Sequence, residues 1–405
     1  MSPLAVTAAT ATTACGLGLA ALDQAFRDHR SGLRRHGAAA ADDTAALPIG
    51  TLDTWIGRVD AVESVVLPDA CAAWDCRNNR LAWLALQQDG VLDALRRACA
   101  QYGPDRVAVI VGTSTSSIGA SEEAYRRLTD SGAFPHDLAR PIVHTPHSLG
   151  SFLQAATGAA GPVVTVATAC SSSAKVFAQA ARMLAAGLVD AALVGGVDTL
   201  CGSVLYGFHS LGLVSSEPCR PFDASRAGLS LGEAGGYALI ERGHAKPLAW
   251  LLGYGESSDA HHMSSPHPEG LGAELCMTEA LARAGRGVED VDYLNCHGTA
   301  TPKNDEIEAL AVRRVFPDRL SASSTKGFTG HTLGAAGIVE SVVAIQAVRT
   351  GLMPASLHCD DPEPVIAAQL LQRSTSGDVR LALNNSFGFG GNNCSLLFGR
   401  DGAQA

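Results

Sequence analysis

The 405-residue chain is poor in charge, in aromatic side chains and in ordered cysteine patterns, and each shortage excludes a class of protein. Only 17% of residues are charged against 46% hydrophobic, the reverse of the balance that keeps a chain disordered. Lys and Arg total 30 against 40 Asp and Glu, a formal charge of −10, so the broad basic surface of a general nucleic-acid binder is missing. Eleven cysteines, an odd number without regular spacing and with no C-x-x-C pair, read as free thiols in a reducing compartment, neither a disulfide framework nor a zinc ribbon. No apolar run reads as long enough to span a bilayer, and Leu4–Ala21 lacks the basic start of a signal peptide. The expectation is a cytoplasmic protein with no membrane insertion. No G-x-G-x-x-G follows a strand in the context of a nucleotide site.

What is present is alternation. Strand-like runs at Val107–Val111, Val163–Ala167, Ala191–Val194, Val291–Cys296 and Val379–Asn384 are interleaved with helical patterns. The helices are expected at Arg80–Ala100, Ser172–Ala186, Glu274–Ala284, Asp305–Phe316 and Ala335–Thr350. This is the pattern of an α/β protein with largely parallel sheets. The Ala/Asp-rich stretch around Gly37–Ala46 is expected to be a mobile surface loop, and a weak seam falls near Gly243–Pro247.

The segment VVTVATACSSSAKVFAQAARMLAAG places Cys170 at a sharp turn between a β-branched strand and an amphipathic helix. A helix N-terminus favours a thiolate and offers free N–H groups to an oxyanion. A buried structural thiol is the competing reading, and position alone leaves the two about even. Three further elements follow strands: HGTAT at His297, SSTKGFTGH from Ser323 to His331, and NSFGFGG from Asn385 to Gly391. Open α/β sheets place their sites beyond the strands' carboxyl ends.

Together with PFDASRAGLSLGEAGG at Pro221, these motifs resemble the β-ketoacyl synthase family of fatty-acid and polyketide assembly, within the thiolase superfamily. The resemblance runs in the family's order from Gly112 to Asn393. It implies the thiolase fold: duplicated βα halves in a five-layered αβαβα core, here residues 1–245 with the nucleophile and 246–405 with the two histidines. It implies decarboxylative condensation of an acyl-enzyme with a malonyl unit on acyl carrier protein. No cofactor is implied beyond the phosphopantetheine arm that carries the substrates, and no metal. Cys170 would be the nucleophile, and its N–H with that of Phe389 the oxyanion hole. Phe387 and Phe389 would gate the acyl pocket, and His297 and His331 would stabilise the enolate. Lys326 matches the family's active-site lysine, and Glu308 a glutamate contacting the lysine region. Asp305-x-x-Glu308 also has capping-box-like spacing, so a helix cap is a second reading for Glu308. Thr299 and Thr301 match positions that hydrogen-bond pantetheine. Asp259–Met263 resembles an entrance loop; His261, His262 and His267 lack the partners of a tetrahedral metal set.

Two features depart from the pattern. Gly232-Glu233-Ala234-Gly235-Gly236 stands where the family often has GEGAG, and basic residues common near Arg80 are missing. Arg77, Arg80, Arg126 and Arg127 are the replacement candidates for carrier-protein contact. HGTATPKND and the run GTSTS at Gly112 resemble the aryl-polyene and type II polyketide branch. The resemblance implies a homodimer or a heterodimer with a chain-length-factor-like subunit. The alternative, that this chain is itself such a non-catalytic partner, is disfavoured by Cys170, and a degradative thiolase by the absence of a second cysteine around Ser386–Gly388.

Overall fold

The computed structural model describes residues 1–37, 49–243, 246–317 and 320–402. The stretch 38–46 of the expected surface loop, and part of the expected seam, lie outside the described residues.

Ten strands form one sheet: β1 Leu4–Thr12, β2 Val107–Gly112, β3 Val163–Val166, β4 Ala191–Asp198, β5 Ala234–Glu241, β6 Ala249–Ser258, β7 Tyr293–Asn295, β8 Ser321–Ser323, β9 Leu381–Gly388 and β10 Asn392–Gly399. Their spatial order is β8-β7-β9-β10-β6-β1-β5-β4-β2-β3. The order repeats. In β1–β5 the second strand pairs in parallel with the third and fourth, and the fifth runs antiparallel between the fourth and the first. In β6–β10 every one of these pairings recurs. The two sets join where Leu4–Val6 of β1 pairs with Ala249–Leu251 of β6.

This corrects the expectation of largely parallel sheets. Parallel pairing is confined to the two wings, and the middle of the sheet is antiparallel. Both kinds of strand are covered on both faces here, so both read as continuous apolar runs.

Residue alternation along the strands builds the layers. Ala108 and Ile110 of β2 face the central core, whereas Val107, Val109 and Val111 face a second core. In the other half Ala382 of β9 faces the central core and Leu381 and Leu383 face a third. Helices α1 Arg77–Leu86, α2 Val91–Tyr102 and α3 Ser148–Thr157 cover the second core. The middle layer is α4 Ser172–Ala185 and α7 Ala336–Thr350, and α5 Leu271–Ala284 and α6 Pro302–Val315 cover the third core. The result is the five-layered αβαβα arrangement.

Helix α7 is buried on all sides from Ala336 to Val348. Residues Leu333–Thr350 are long and apolar enough to cross a membrane by composition, contrary to the sequence reading, but 89% of that window is buried inside the protein. Its apolar character comes from being wrapped by both halves. It meets α4 at Gly337, where an added Cβ would stand 2.3 Å from the Ala174 nitrogen.

The single helix expected over Arg80–Ala100 is two. Asp89 and Gly90 adopt positive φ values of 51° and 73° between α1 and α2. The break has a use: the Asp89 carboxylate accepts the Leu19 N–H at 2.9 Å and the Thr10 hydroxyl at 2.7 Å. Those long-range bonds offset the cost of interrupting the helix.

Candidate active site

The first functional side chain comes from the tight link between β3 and α4. Ala169 turns the chain through the left-handed region at φ 52°, and the Ser172 hydroxyl braces the turn by accepting the Thr168 N–H at 2.8 Å. Cys170 is thereby presented at the start of α4, buried. The expected thiolate is not what the surroundings favour. Burial pushes the thiol up to about 12, against the opposing pull of the Lys326 charge and the Phe389 N–H. Desolvation outweighs the helix end.

His297 follows β7 in a loop held from below by two carboxylates of α6. Glu308 accepts the N–H groups of His297 and Gly298 at 2.8 and 2.7 Å, and Asp305 accepts those of Thr299 and Ala300 at 2.9 and 3.1 Å. Burial raises Glu308 to about 7, while those N–H groups hold it down. Glu308 therefore does not cap its own helix. It shapes the backbone of His297, the same residue whose carbonyl Lys326 bonds.

His331 is fixed by its main chain, which donates to Ser230 O at 2.8 Å and accepts from Gly232 N–H at 2.9 Å. Its Nε2 lies 3.0 Å from Cys170 Sγ, and its Nδ1 receives the Leu333 N–H at 3.3 Å. The two imidazole centroids are 5.4 Å apart and nearly perpendicular. Burial first, then the Lys326 charge, lowers both histidines well below the ordinary imidazole value, so both rings are neutral. Lys326 lies between His297 and Glu340, bonding the His297 carbonyl and the Glu340 carboxylate, with its Nζ 3.4 Å from His297 Nδ1.

The hairpin from β9 to β10 closes the site. Strand β9 runs on to Gly388, beyond the expected end at Asn384. Phe387 packs against His297 at 5.8 Å, and Phe389 stacks on Phe208 at 5.5 Å while its N–H faces Cys170 Sγ. Only glycine fits at 388, because a Cβ there would stand 2.6 Å from Thr168 O. A cavity of about 360 Å³ is lined by Cys170, His297, His331, Thr299, Thr301 and the two phenylalanines, among others.

Comparison with known proteins points to one family. Residues 78–245 match the β-ketoacyl synthase N-terminal domain and residues 248–360 its C-terminal domain. Nodulation protein E of Rhizobium meliloti is 35% identical over 321 residues, 76% of this chain and 79% of that one. The chain belongs to the β-ketoacyl synthase family. The mitochondrial 3-oxoacyl-[acyl-carrier-protein] synthase of Arabidopsis thaliana is 40% identical over 262 residues, 60% of this chain but only 57% of that enzyme. A chain from a ketosynthase solved with its chain length factor, from Xenorhabdus doucetiae, superposes with a TM-score of 0.87 at 33% identity. That likeness covers 99% of this chain and 98% of the other.

Within this synthase fold, sequence reasoning missed three carboxylates. Glu340 is the partner of Lys326; its signal was a lone acid in the apolar run Ala336–Val348. Asp198, at the end of β4, accepts from Thr113 Oγ1, Ser114 N, both Thr115 donors and Ala335 N. It ties the N-terminal half to the segment just after His331. Asp305 was seen only as a possible cap. Of the arginines singled out for carrier contact, Arg77 pairs with the buried Glu233 and with Glu63, Arg80 pairs with Asp75, and the half-exposed Arg127 pairs with the exposed Glu123 and Asp137. The resembled entrance loop does lie against the glycine-rich hairpin, with Gly390 N–H donating to Met263 O at 2.7 Å.

Proposed function

We propose that this chain is a β-ketoacyl-[acyl-carrier-protein] synthase that elongates an acyl chain by decarboxylative Claisen condensation. The observation that carries this is the approach of His331 Nε2 to Cys170 Sγ, 3.0 Å, in a cavity shared with His297. An ammonium has no acceptor and an amide N–H only donates, so the Nδ1 atoms facing Lys326 and Leu333 act as acceptors. Each neutral ring then carries its proton on Nε2. Two N–H donors are the requirement for an enolate oxygen.

The steps follow. Cys170 attacks the acyl thioester, its proton ends on the departing pantetheine thiol, and an acyl-Cys170 thioester remains. Malonyl thioester enters through Thr299 and Thr301, which suit hydrogen bonds to the pantetheine arm. Loss of CO2 leaves an electron pair on the thioester enolate, whose oxygen His297 and His331 hold. The enolate carbon attacks acyl-Cys170, and the N–H groups of Cys170 and Phe389 take the charge on the carbonyl oxygen. Collapse expels the Cys170 sulfur as a thiolate, which takes a proton from solvent, and leaves the β-ketoacyl chain on the carrier. Lys326 and Glu308 act by holding the His297 segment, and Phe387 and Phe389 line the passage between the two substrates. No step calls for a metal or a bound cofactor.

The two strand repeats support reading residues 1–245 and 246–405 as the two halves. Strand β3 is the last of the sheet and presents the partly exposed run VVTV, which supports a dimer formed at that edge. The Xenorhabdus likeness favours pairing with a chain-length-factor-like subunit. The aryl-polyene or type II polyketide role rests on the motifs HGTATPKND and GTSTS, and the cytoplasmic setting on the free-thiol pattern of the cysteines. An active subunit is favoured over a non-catalytic one because Cys170 lies in the cavity with both histidines. The test is incubation with a panel of acyl carrier proteins, alone and with candidate partner subunits, reading acylation of the Cys170 peptide by mass spectrometry. Loading by unsaturated chains supports the specialised branch, and loading only by short saturated chains refutes it. No loading of Cys170 from any carrier refutes the synthase reading.

A further inference from the structure

Three donors of the kinds that hold soft divalent cations converge in the cavity. Cys170 offers sulfur, His297 and His331 offer one ring nitrogen each, and the three atoms lie within 4.8 Å of one another. One thiolate and two imidazoles with room for a fourth ligand form a zinc-type set. In such sites each ligating imidazole donates its other N–H to a carboxylate, carbonyl or water. Here the outer partners are reversed. Leu333 points an N–H at His331 Nδ1 from 3.3 Å, and Lys326 points its ammonium at His297 Nδ1 from 3.4 Å.

We propose that Lys326 and the Leu333 amide keep a latent soft-metal site closed by holding both imidazoles as Nε2–H tautomers. The argument rests on donor placement and goes beyond the condensation chemistry. For His331 Nε2, which faces the sulfur, to bind a cation, its proton must move to Nδ1. There it would meet the Leu333 hydrogen head-on. His297 meets the same obstacle at Lys326. The Cys170 proton must also leave to solvent, since the thiolate is the ligand. The Lys326 ammonium, buried and paired with Glu340 on its far side, adds a like charge beside the incoming cation. A nucleophilic sulfur between two histidines is thereby kept available for acyl transfer.

Two measurements test this on the full chain. Nitrogen-15 NMR of histidine-labelled wild type reports the tautomers directly. Nε2–H is expected at both rings, and Nδ1–H at either one overturns the proposal. Cobalt(II) titration then reads the sulfur-to-metal charge-transfer band in wild type and in Lys326→Met. The variant is expected to bind cobalt about tenfold or more tightly than wild type, at the lower end of known outer-shell effects. The band should vanish when Cys170→Ala is added. Because Lys326→Met strands Glu340 in the core, the double variant Lys326→Met/Glu340→Gln carries the same comparison if the single one does not fold. Equal cobalt affinity in wild type and folded variant, whether tight or weak, sinks the idea.

Discussion

In the N-terminal half the third strand reaches its helix through residues 167–171, whereas the equivalent connection of the C-terminal half takes residues 324–335. The short link has room for one sharp turn, and it delivers one atom, the sulfur of Cys170, to the end of a helix. The long link folds back far enough to bury Lys326, reach Glu340 and bring His331 to that sulfur. The fourth strands differ in the same sense. Strand β4 ends on Asp198, whose carboxylate gathers donors from both halves; β9 runs into Phe387 and Phe389, which wall the cavity. A repeated topology therefore fixes where chemistry can be placed, and the length and polarity of each link decide which chemistry it is.

The sharpest way to break this division is to remove the sulfur that the N-terminal half delivers to the cavity. Cys170→Gln should abolish condensation and retain or increase malonyl decarboxylation. The amide carbonyl would occupy the place of the acyl-enzyme carbonyl beside the Phe389 N–H, and both histidines would be untouched. Cys170→Ala, without that carbonyl, is the control. The readout is acetyl- against elongated carrier protein by mass spectrometry, and any elongation by the Gln variant shows that Cys170 is not the nucleophile.

Next in size is the buried charge that only the C-terminal link contains. Lys326→Ala leaves Glu340 without its partner and should cost about 3–5 kcal/mol, seen as a lower urea midpoint at unchanged slope. Arg96→Ala breaks the exposed Arg96–Asp93 pair and should stay within about 0.5 kcal/mol. Equal effects of the two would mean that Lys326 is not buried as described.

For the histidines, His297→Ala and His331→Ala should each slow malonyl decarboxylation by about a hundredfold, and acyl loading of Cys170 less. Normal decarboxylation by both variants would remove them from the enolate step.

The effect of a single pH step is smaller, about tenfold. Since burial raises the Cys170 thiol to about 12, its thiolate is scarce at neutrality and grows as pH rises. Alkylation of the Cys170 peptide by iodoacetamide should climb about tenfold per pH unit from pH 7 to 10 without levelling. A plateau near neutrality would show instead that the helix end prevails over desolvation.

Much of the site was legible because its parts are contiguous in the chain. TACSSS, HGTAT, STKGFTGH and NSFGFGG each carry their functional residue together with the small residues that shape the local backbone, so Cys170, His297, Lys326, His331 and Phe389 could be named without coordinates. The βα alternation was legible too, because burial on both faces demands unbroken apolar runs. The tertiary structure decided what depends on neighbours far along the chain. Strand direction is one case, since covered strands look alike whether parallel or antiparallel. Glu340 as the carboxylate partner of Lys326 is another, as is the gathering of distant N–H groups by Asp198. The protonation of Cys170 belongs here as well: the sequence places a thiol at a helix end, but its ionisation is governed by how much water the folded chain excludes, and that is a property of packing.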